Sequence, residues 1–309
     1  MALHEPVLTR EVLAFLAPQR GGLFVDCTLG AGGHSLALLE AGATRLIGLD
    51  RDPAAIAIAA ETLKAFRNRA ELVQADFRAL DAVLDARGIG TIDGALADLG
   101  VSSMQLDTPG RGFSFQRDEG LDMRMDTTSP RTLADLIHDV SETELADVIH
   151  GYGEERHARR IARAIVRARE EAPIRSTGQL AALIRRSIPR GGRHPQRGRR
   201  AGDARSRSRI DPATRTFQAL RIWVNEELEA LDDFLSRLLR RLATGARAVI
   251  IAFHSLEDRI VKHTFRALER AVDIRARVLT KKPVVPSGEE IARNPRARSA
   301  KLRAVERLA

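Results

Sequence analysis

Apolar and polar positions fall into two regimes along this chain. Between Leu23 and Asp98, short apolar runs alternate with stretches of helical period. Leu23-Phe-Val25, Arg45–Asp50, Glu71–Phe77 and Ile92–Asp98 have the length and composition of strands. Helical patterns follow the first three: Leu36 to Leu39, Asp52 to about Phe66 with Pro53 at the first helical position, and Leu80 to Leu84. Strands alternating with helices predict a parallel sheet with right-handed crossovers. A lead-in and short helix precede them at residues 4–16, with Val12, Leu13, Phe15 and Leu16 on its apolar side. Near Asp107 the pattern changes. Residues 107–126 read as an ordered loop, and from Leu133 to about Ile188 the period is helical throughout, with Ser141–Glu144 as a capping box. The sheet pattern returns after Pro212. Glu226–Leu242 predicts a helix with Leu228, Leu231, Leu235, Leu238 and Leu242 on one stripe, ended by Gly245. Ala248–Phe253 predicts a buried strand, and about Leu256–Leu268 a further helix. The expected organisation is α/β: a domain in two parts, residues 1–106 and 212–309, with a loop and all-helical domain inserted at 107–211.

Candidate chemistry gathers at the carboxyl ends of the predicted strands, where parallel sheets bind ligands. Asp26, Asp50, Asp76 and Asp98 all fall there. After Asp26 comes a glycine turn, Gly30, Gly32 and Gly33, and then His34-Ser35 opening a helix. Glycines admit close backbone approach, and a helix N-terminus offers free N–H groups. Asp50, twenty residues beyond Gly30, is placed to accept from two ribose hydroxyls. That serves an adenosine cofactor, NAD or S-adenosylmethionine. The turn reads G-x-G-G rather than G-x-G-x-x-G and carries no Lys or Arg for a pyrophosphate, and Asp26 suits a cationic ligand; both features favour S-adenosylmethionine. His254-Ser255, after the last buried strand, either contact a substrate or cap the following helix, for which Ser255 is a good N-cap type.

Composition narrows the class. Of the residues, 44% are hydrophobic, enough for a substantial core, and the net charge of +9 favours a polyanionic partner, RNA or DNA. Residues 185–209 hold ten arginines with one acid, Asp203, and no aromatic, so they form either a solvated linker or a grip on phosphates. The one cysteine, Cys27, excludes an intrachain disulfide and a cysteine-based zinc site, and no Cys/His cluster has metal spacing; a reducing cytoplasm and no metal are expected. No apolar run is long enough for a membrane span.

Several longer motifs carry a resemblance: Asp98-Leu-Gly-Val-Ser-Ser-Met-Gln-Leu-Asp107, Arg111-Gly-Phe-Ser-Phe115, Leu121-Asp-Met-Arg-Met-Asp126, Tyr152-Gly-Glu-Glu-Arg156, Ala213-Thr-Arg-Thr-Phe-Gln-Ala-Leu-Arg-Ile222 with Asn225-Glu226, Phe253-His-Ser-Leu-Glu-Asp-Arg259 and Asn294–Lys301. In this order, over almost the whole chain, they resemble the MraW family of ribosomal RNA small-subunit methyltransferases. The resemblance implies a Rossmann-like S-adenosylmethionine methyltransferase sheet with an inserted helical domain. It implies methylation of the exocyclic N4 of a cytidine in the decoding region of bacterial 16S ribosomal RNA, in the small ribosomal subunit, and leaves open monomer or homodimer. Cofactor contacts carry over to Gly32, Gly33, His34, Asp50, Phe77, Asp98 and Gln105. Asp98 either polarises the target amino group as the catalytic carboxylate or serves the cofactor alone. The family often has His where this chain has Asp211. The rival readings are an NAD-dependent oxidoreductase on the same fold and a non-catalytic RNA-binding factor.

Overall fold

The computed structural model describes residues 6–189, 211–272 and 274–309; residues 190–209 of the arginine-rich run lie outside them. In chain order come α1 (Thr9–Leu16), β1 (Leu23–Asp26), α2 (Gly33–Glu40), β2 (Arg45–Asp50), α3 (Pro53–Thr62), β3 (Ala70–Gln74), α4 (Leu80–Asp85), β4 (Ile92–Asp98) and α5 (Ser103–Asp107). Then follow α6 (Leu133–Asp139), α7 (Glu142–Gly153), α8 (Ala158–Glu171), α9 (Thr177–Ser187), α10 (Ala213–Asn225), α11 (Leu231–Arg241), β5 (Leu242–Ala252), α12 (Ser255–Arg270), β6 (Ala276–Val278), α13 (Gly288–Arg293) and β7 (Lys301–Arg307). No helix among the described residues is long and apolar enough to cross a membrane.

Two compact units result. The first holds residues 1–104, 125–127 and 227–309. Its seven strands form one sheet in the order β3-β2-β1-β4-β5-β7-β6. β1 to β5 are parallel, and β7 runs antiparallel to both β5 and β6. Strands buried on both faces read as near-continuous apolar runs, and here they do: Phe24, Val25, Leu46, Ile47, Leu49, Val249, Ile250 and Ile251 are all buried. One core cluster packs Val25, Ile47 and Ile250 with α11 and α12 through Phe234, Leu238 and Phe265. The other packs Phe24, Leu46 and Val249 with α1 and α2 through Val12, Leu38 and Leu39. The sheet is thus an α/β layer covered on both faces. The chain passes outward from β1 to β2 and β3, then returns through β4 and β5 on the other side of β1. The reversal leaves a crevice at the carboxyl ends of β1 and β4.

Several elements depart from their expected bounds: α3 ends at Thr62 rather than near Phe66, β3 at Gln74 rather than Phe77, and β5 opens at Leu242 rather than Ala248. The helix expected at Glu226–Leu242 is α11, Leu231–Arg241, and Leu242 already opens β5. The backbone turns left-handed at Glu226 (φ 51°) and Ala230 (φ 54°), so the segment between them is a turn. The apolar face that α11 buries is Leu231, Phe234, Leu235, Leu238 and Leu239. Gly245 sits within β5 at φ 80° rather than ending a helix.

The second unit holds residues 105–124 and 128–226. It consists of the expected loop and helices α6 to α9, joined by α10. Close packing ties α10 to α7: a Cβ on Gly153 would meet the Arg215 carbonyl at 2.7 Å. Capping explains the helix starts. Thr132 and Ser176 close capping boxes with Asp135 and Gln179, and Ser141 accepts from the Glu144 N–H. In the loop, Gly112 (φ +71°) is held so near the neighbouring strand-like segment that a Cβ would lie 2.5 Å from the Gly120 carbonyl. Asp211 pairs with Arg185 at 2.8 Å and accepts from the Ala213 N–H at 2.8 Å, starting α10.

Candidate active site

Three strand ends and one turn build the site. β1 ends in Asp26, whose neighbours across the sheet are Gly48 of β2 and Leu96 of β4. Beyond it the chain stays attached to both: Cys27 N–H donates to the Leu96 carbonyl and Leu29 N–H to the Leu49 carbonyl, each at 2.8 Å. The turn then closes over Gly32 (φ +82°), which precedes α2. An L side chain there is strained, and its Cβ would lie 3.3 Å from the Ala59 Cβ. At Gly30 a Cβ would meet nothing closer than 4.0 Å, so the turn leaves open space on that side.

Asp50 at the end of β2 is bound into the turn. Its Oδ2 accepts from the Gly30 N–H at 2.8 Å and its Oδ1 from the Asp52 N–H at 2.8 Å. Burial pushes its carboxyl up to about 6, against the lowering effect of those two N–H groups. Each carboxylate oxygen keeps a lone pair for a further donor.

Asp98 at the end of β4 faces α2. Its Oδ2 lies 3.6 Å from Nε2 of His34. Both ring nitrogens of His34 and Oδ1 of Asp98 are buried without a hydrogen-bond partner among the described residues. Buried polar groups are ordinarily satisfied, and an orphan costs about 1–3 kcal/mol. Three such atoms at one crevice form a set of donors and acceptors that a polar ligand completes.

The other expected residues fall in three places. Phe77 follows β3, half-buried, with its ring 4.7 Å from that of Phe234 at a tilt of 54°. Asp76 before it accepts from Arg78 N–H at 2.9 Å and pairs with Arg51 at 3.4 Å. Gln105, on α5, is buried and belongs to the second unit. His254 and Ser255 stand at the end of β5, away from the glycine turn in sequence and two strands from β1 in the sheet.

At that β5 junction the cap is His254, not Ser255. Nδ1 of His254 accepts from the Glu257 N–H at 3.4 Å, and Glu257 Oε2 accepts from the N–H groups of Phe253 (2.8 Å) and His254 (3.3 Å). Ser255 is the first residue of α12 and exposed. Glu227, His254 and Glu257 each place a ligand atom within 4.8 Å of the others, a grouping that could hold a cation. The capping bond puts the imidazole proton on Nε2, which lies 3.1 Å from Glu257 Oε1 and is buried without a hydrogen-bond partner among the described residues.

Two further residues were not singled out by sequence. Thr28 Oγ1 accepts from the Asp98 N–H at 2.6 Å and so fixes the end of β4 against the turn. Ser35 Oγ donates to Asp26 Oδ2 at 2.7 Å, and Thr28 N–H donates to Asp26 Oδ1 at 3.2 Å. Asp26 is fully enclosed; burial raises its carboxyl, opposed by Ser35, His34 and Thr28. It therefore holds the turn rather than facing a cationic ligand. The available signal was the residue type: an Asp at a strand end accepts from the backbone N–H two residues on, an Asx-turn.

A family model for the MraW methylase family matches residues 1–308. Proteins named "Ribosomal RNA small subunit methyltransferase H" are similar over nearly the full length. That of Geotalea uraniireducens (strain Rf4) is 49% identical over 320 residues, covering 99% of this chain and 98% of the relative. That of Anaeromyxobacter dehalogenans (strain 2CP-1) is 51% identical over 319 residues, with the same coverage. That of Bradyrhizobium diazoefficiens is 48% identical over 320 residues, covering 99% of this chain and 92% of the relative.

Proposed function

Because the chain belongs to the MraW methylase family, we propose that it methylates the exocyclic N4 of a cytidine in the decoding region of bacterial 16S ribosomal RNA, using S-adenosylmethionine. The relatives' shared name, a small-subunit ribosomal RNA methyltransferase, supports the substrate class. The first unit is the methyltransferase domain and the second the inserted domain. The substrate is the RNA within the small ribosomal subunit, in the cytoplasm.

The single observation that carries the reading is the set of orphaned polar atoms on His34 and Asp98 at the crevice between β1 and β4. A cofactor bearing a ribose, an amino-acid moiety and a sulfonium fits there. Asp50 would accept from the ribose hydroxyls, and Gly32, Gly33, His34 and Phe77 are the further residues that would hold the cofactor. Gln105 is a further contact that the family resemblance implies. S-adenosylmethionine supplies an electrophilic methyl group at this place.

What the chain itself must supply is an activated nucleophile. The cytosine amino nitrogen is weak because its lone pair is delocalised into the ring. The Asp98 carboxylate accepts an N–H of that amino group, returning electron density to the nitrogen, and holds it in line for transfer. Thr28 and His34 position the carboxylate: one through the Asp98 backbone at 2.6 Å, the other beside Oδ2 at 3.6 Å.

Transfer of label from tritiated S-adenosylmethionine to small subunits lacking the modification, followed by nucleoside analysis, tests the proposal. Label in N4-methylcytidine is expected. Label in another nucleoside would overturn the N4 assignment. Cofactor binding with no label in naked RNA or in subunits would favour the non-catalytic RNA-binding reading.

A further inference from the structure

Helix α8 carries more positive charge than a solvated face requires. Its sequence, Ala158-Arg-Arg-Ile-Ala-Arg-Ala-Ile-Val-Arg-Ala-Arg-Glu-Glu171, buries Ala158, Ile161, Ala162 and Ile165. Arg159, Arg163 and Arg167 repeat at i, i+4 along the opposite side, with Arg160 beside them, and all four are exposed. Like charges at that spacing destabilise an isolated helix. Neighbouring acids relieve little of this: Glu142 meets Arg163 at 3.2 Å, with both side chains about half exposed (41% and 58%). Arg169, by contrast, turns back to the Ile137 carbonyl, as a structural arginine does.

The exposed arginines do not simply point into solvent. α8 packs beside α9, and the two enclose an open groove of about 750 Å³. Arg159, Arg160, Arg163, Arg167 and Arg186 line it, over a floor that includes Ala164 and Leu183. Among the described residues, neither a carboxylate nor an aromatic ring lines it. Five arginines along a groove with small and aliphatic residues between them put five positive charges at one place and no base-stacking surface. Guanidinium forks match phosphate oxygens bidentately. Successive arginines on the i, i+4 row are about 6 Å apart along the helix, comparable to the spacing of phosphates on one strand.

We infer that the α8–α9 groove of the helical unit binds the sugar–phosphate backbone of the RNA substrate, fixing its register while leaving sequence reading to other residues. The inference rests on the RNA-methyltransferase reading and adds to it a site outside the sheet unit. Without aromatics, contact is to phosphates alone and depends steeply on salt.

The test is the variant Arg159→Gln/Arg163→Gln/Arg167→Gln, all exposed positions where Gln keeps helix propensity and removes charge. Its fold is checked by circular dichroism and by its affinity for S-adenosylmethionine, expected to be unchanged. Binding of naked 16S RNA and of small subunits is measured across salt concentrations, beside KM for methyl transfer. The expected result is a loss of RNA affinity of about 10- to 100-fold at low salt and a salt slope smaller by about two to three. The triple Lys variant retains most of that slope. Unchanged RNA affinity and slope would overturn the inference. So would a loss confined to assembled subunits with naked RNA unaffected, which would make the groove a site for an acidic protein surface. Should the wild type transfer no methyl group to any RNA, the function fails while the RNA-binding comparison still decides the groove.

Discussion

The sheet unit joins strand to helix through a histidine twice, and the two junctions treat the ring differently. After β1, His34 lies in the first turn of α2, 3.6 Å from a carboxylate oxygen of Asp98. After β5, His254 precedes α12, 3.1 Å from a carboxylate oxygen of Glu257. At β5 Nδ1 of the ring caps the helix and Glu257 Oε2 accepts from two backbone N–H groups, while Nε2 is left without a hydrogen-bond partner among the described residues. At β1 neither ring nitrogen of His34 is used, nor is Asp98 Oδ1. A buried His beside an acid is therefore not in itself a site. What separates the two is how many polar atoms the fold leaves unpartnered, both ring nitrogens and an acid oxygen at β1 against one ring nitrogen at β5, and that difference predicts function loss at the first junction and stability loss at the second.

The sharpest separation is expected at Asp98. Asp98→Asn keeps the side chain's shape and removes its charge. If the carboxylate polarises the target amino group, kcat falls by about 10²- to 10⁴-fold, the range of positioned acid–base groups, while the cofactor dissociation constant stays within a few-fold. Single-turnover methyl transfer with calorimetry on the same preparation measures both. Turnover unchanged at intact cofactor affinity would leave Asp98 as a cofactor contact alone.

A smaller effect is expected at Asp50, through pH. Its carboxyl is pushed up to about 6, from an ordinary 3.8, chiefly by burial. A folded value above the unfolded one means that the folded state holds the proton more tightly. The cofactor-free protein therefore loses stability as pH rises from about 4 to about 6. Ribose hydroxyls donate to the ionised form, so cofactor affinity gains as pH rises through about 6 and levels off above it. Between pH 7.5 and 5 the affinity is expected to drop by about tenfold, with proton release on binding near pH 6. Asp50→Asn binds more weakly and without this pH dependence. A flat profile in the wild type would place the ribose elsewhere.

The same contrast explains how much could be read without coordinates. Strands end where an apolar run meets an acid, so Asp26, Asp50 and Asp98 were legible as strand ends, and the carboxyl-end rule for parallel sheets made that edge the ligand side; the switch between β1 and β4 became visible only in the strand order. Satisfaction was not legible. Asp26 and Asp98 look alike in sequence, yet Ser35 and Thr28 enclose the first, while the second keeps an oxygen unpartnered. Ser255 has the better capping side chain, but the backbone places His254 at the extended position (φ −138°, ψ 169°) that a cap needs. The Glu226–Leu242 stripe has helical spacing, but left-handed turns at Glu226 and Ala230 reset its phase. The arginines of α8 were legible as a solvent-facing row. That a second helix adds Arg186 and turns the row into a groove is a tertiary fact. Asp211, in place of the family's frequent His, pairs with Arg185, which also stacks over Phe115 at 5.5 Å.

The smallest effect is expected at the second junction. His254→Ala removes the cap of α12 and leaves the Glu257 N–H without its acceptor. Loss of an N-cap costs about 1 kcal/mol, within a range of roughly 0.5–2. Urea unfolding is expected to show a lower midpoint with the same slope, since the exposed surface is unchanged. His254→Asn supplies an equally good capping oxygen and restores most of the loss, although it could not replace an imidazole that contacts a nucleotide. The decisive readout is therefore the pair of variants. If Asn rescues stability and turnover stays near the wild type in both, the β5 histidine is spent on the fold. If stability is unmoved and both variants lose turnover without losing cofactor affinity, His254 reaches the target nucleotide, and the two junctions are functional alike.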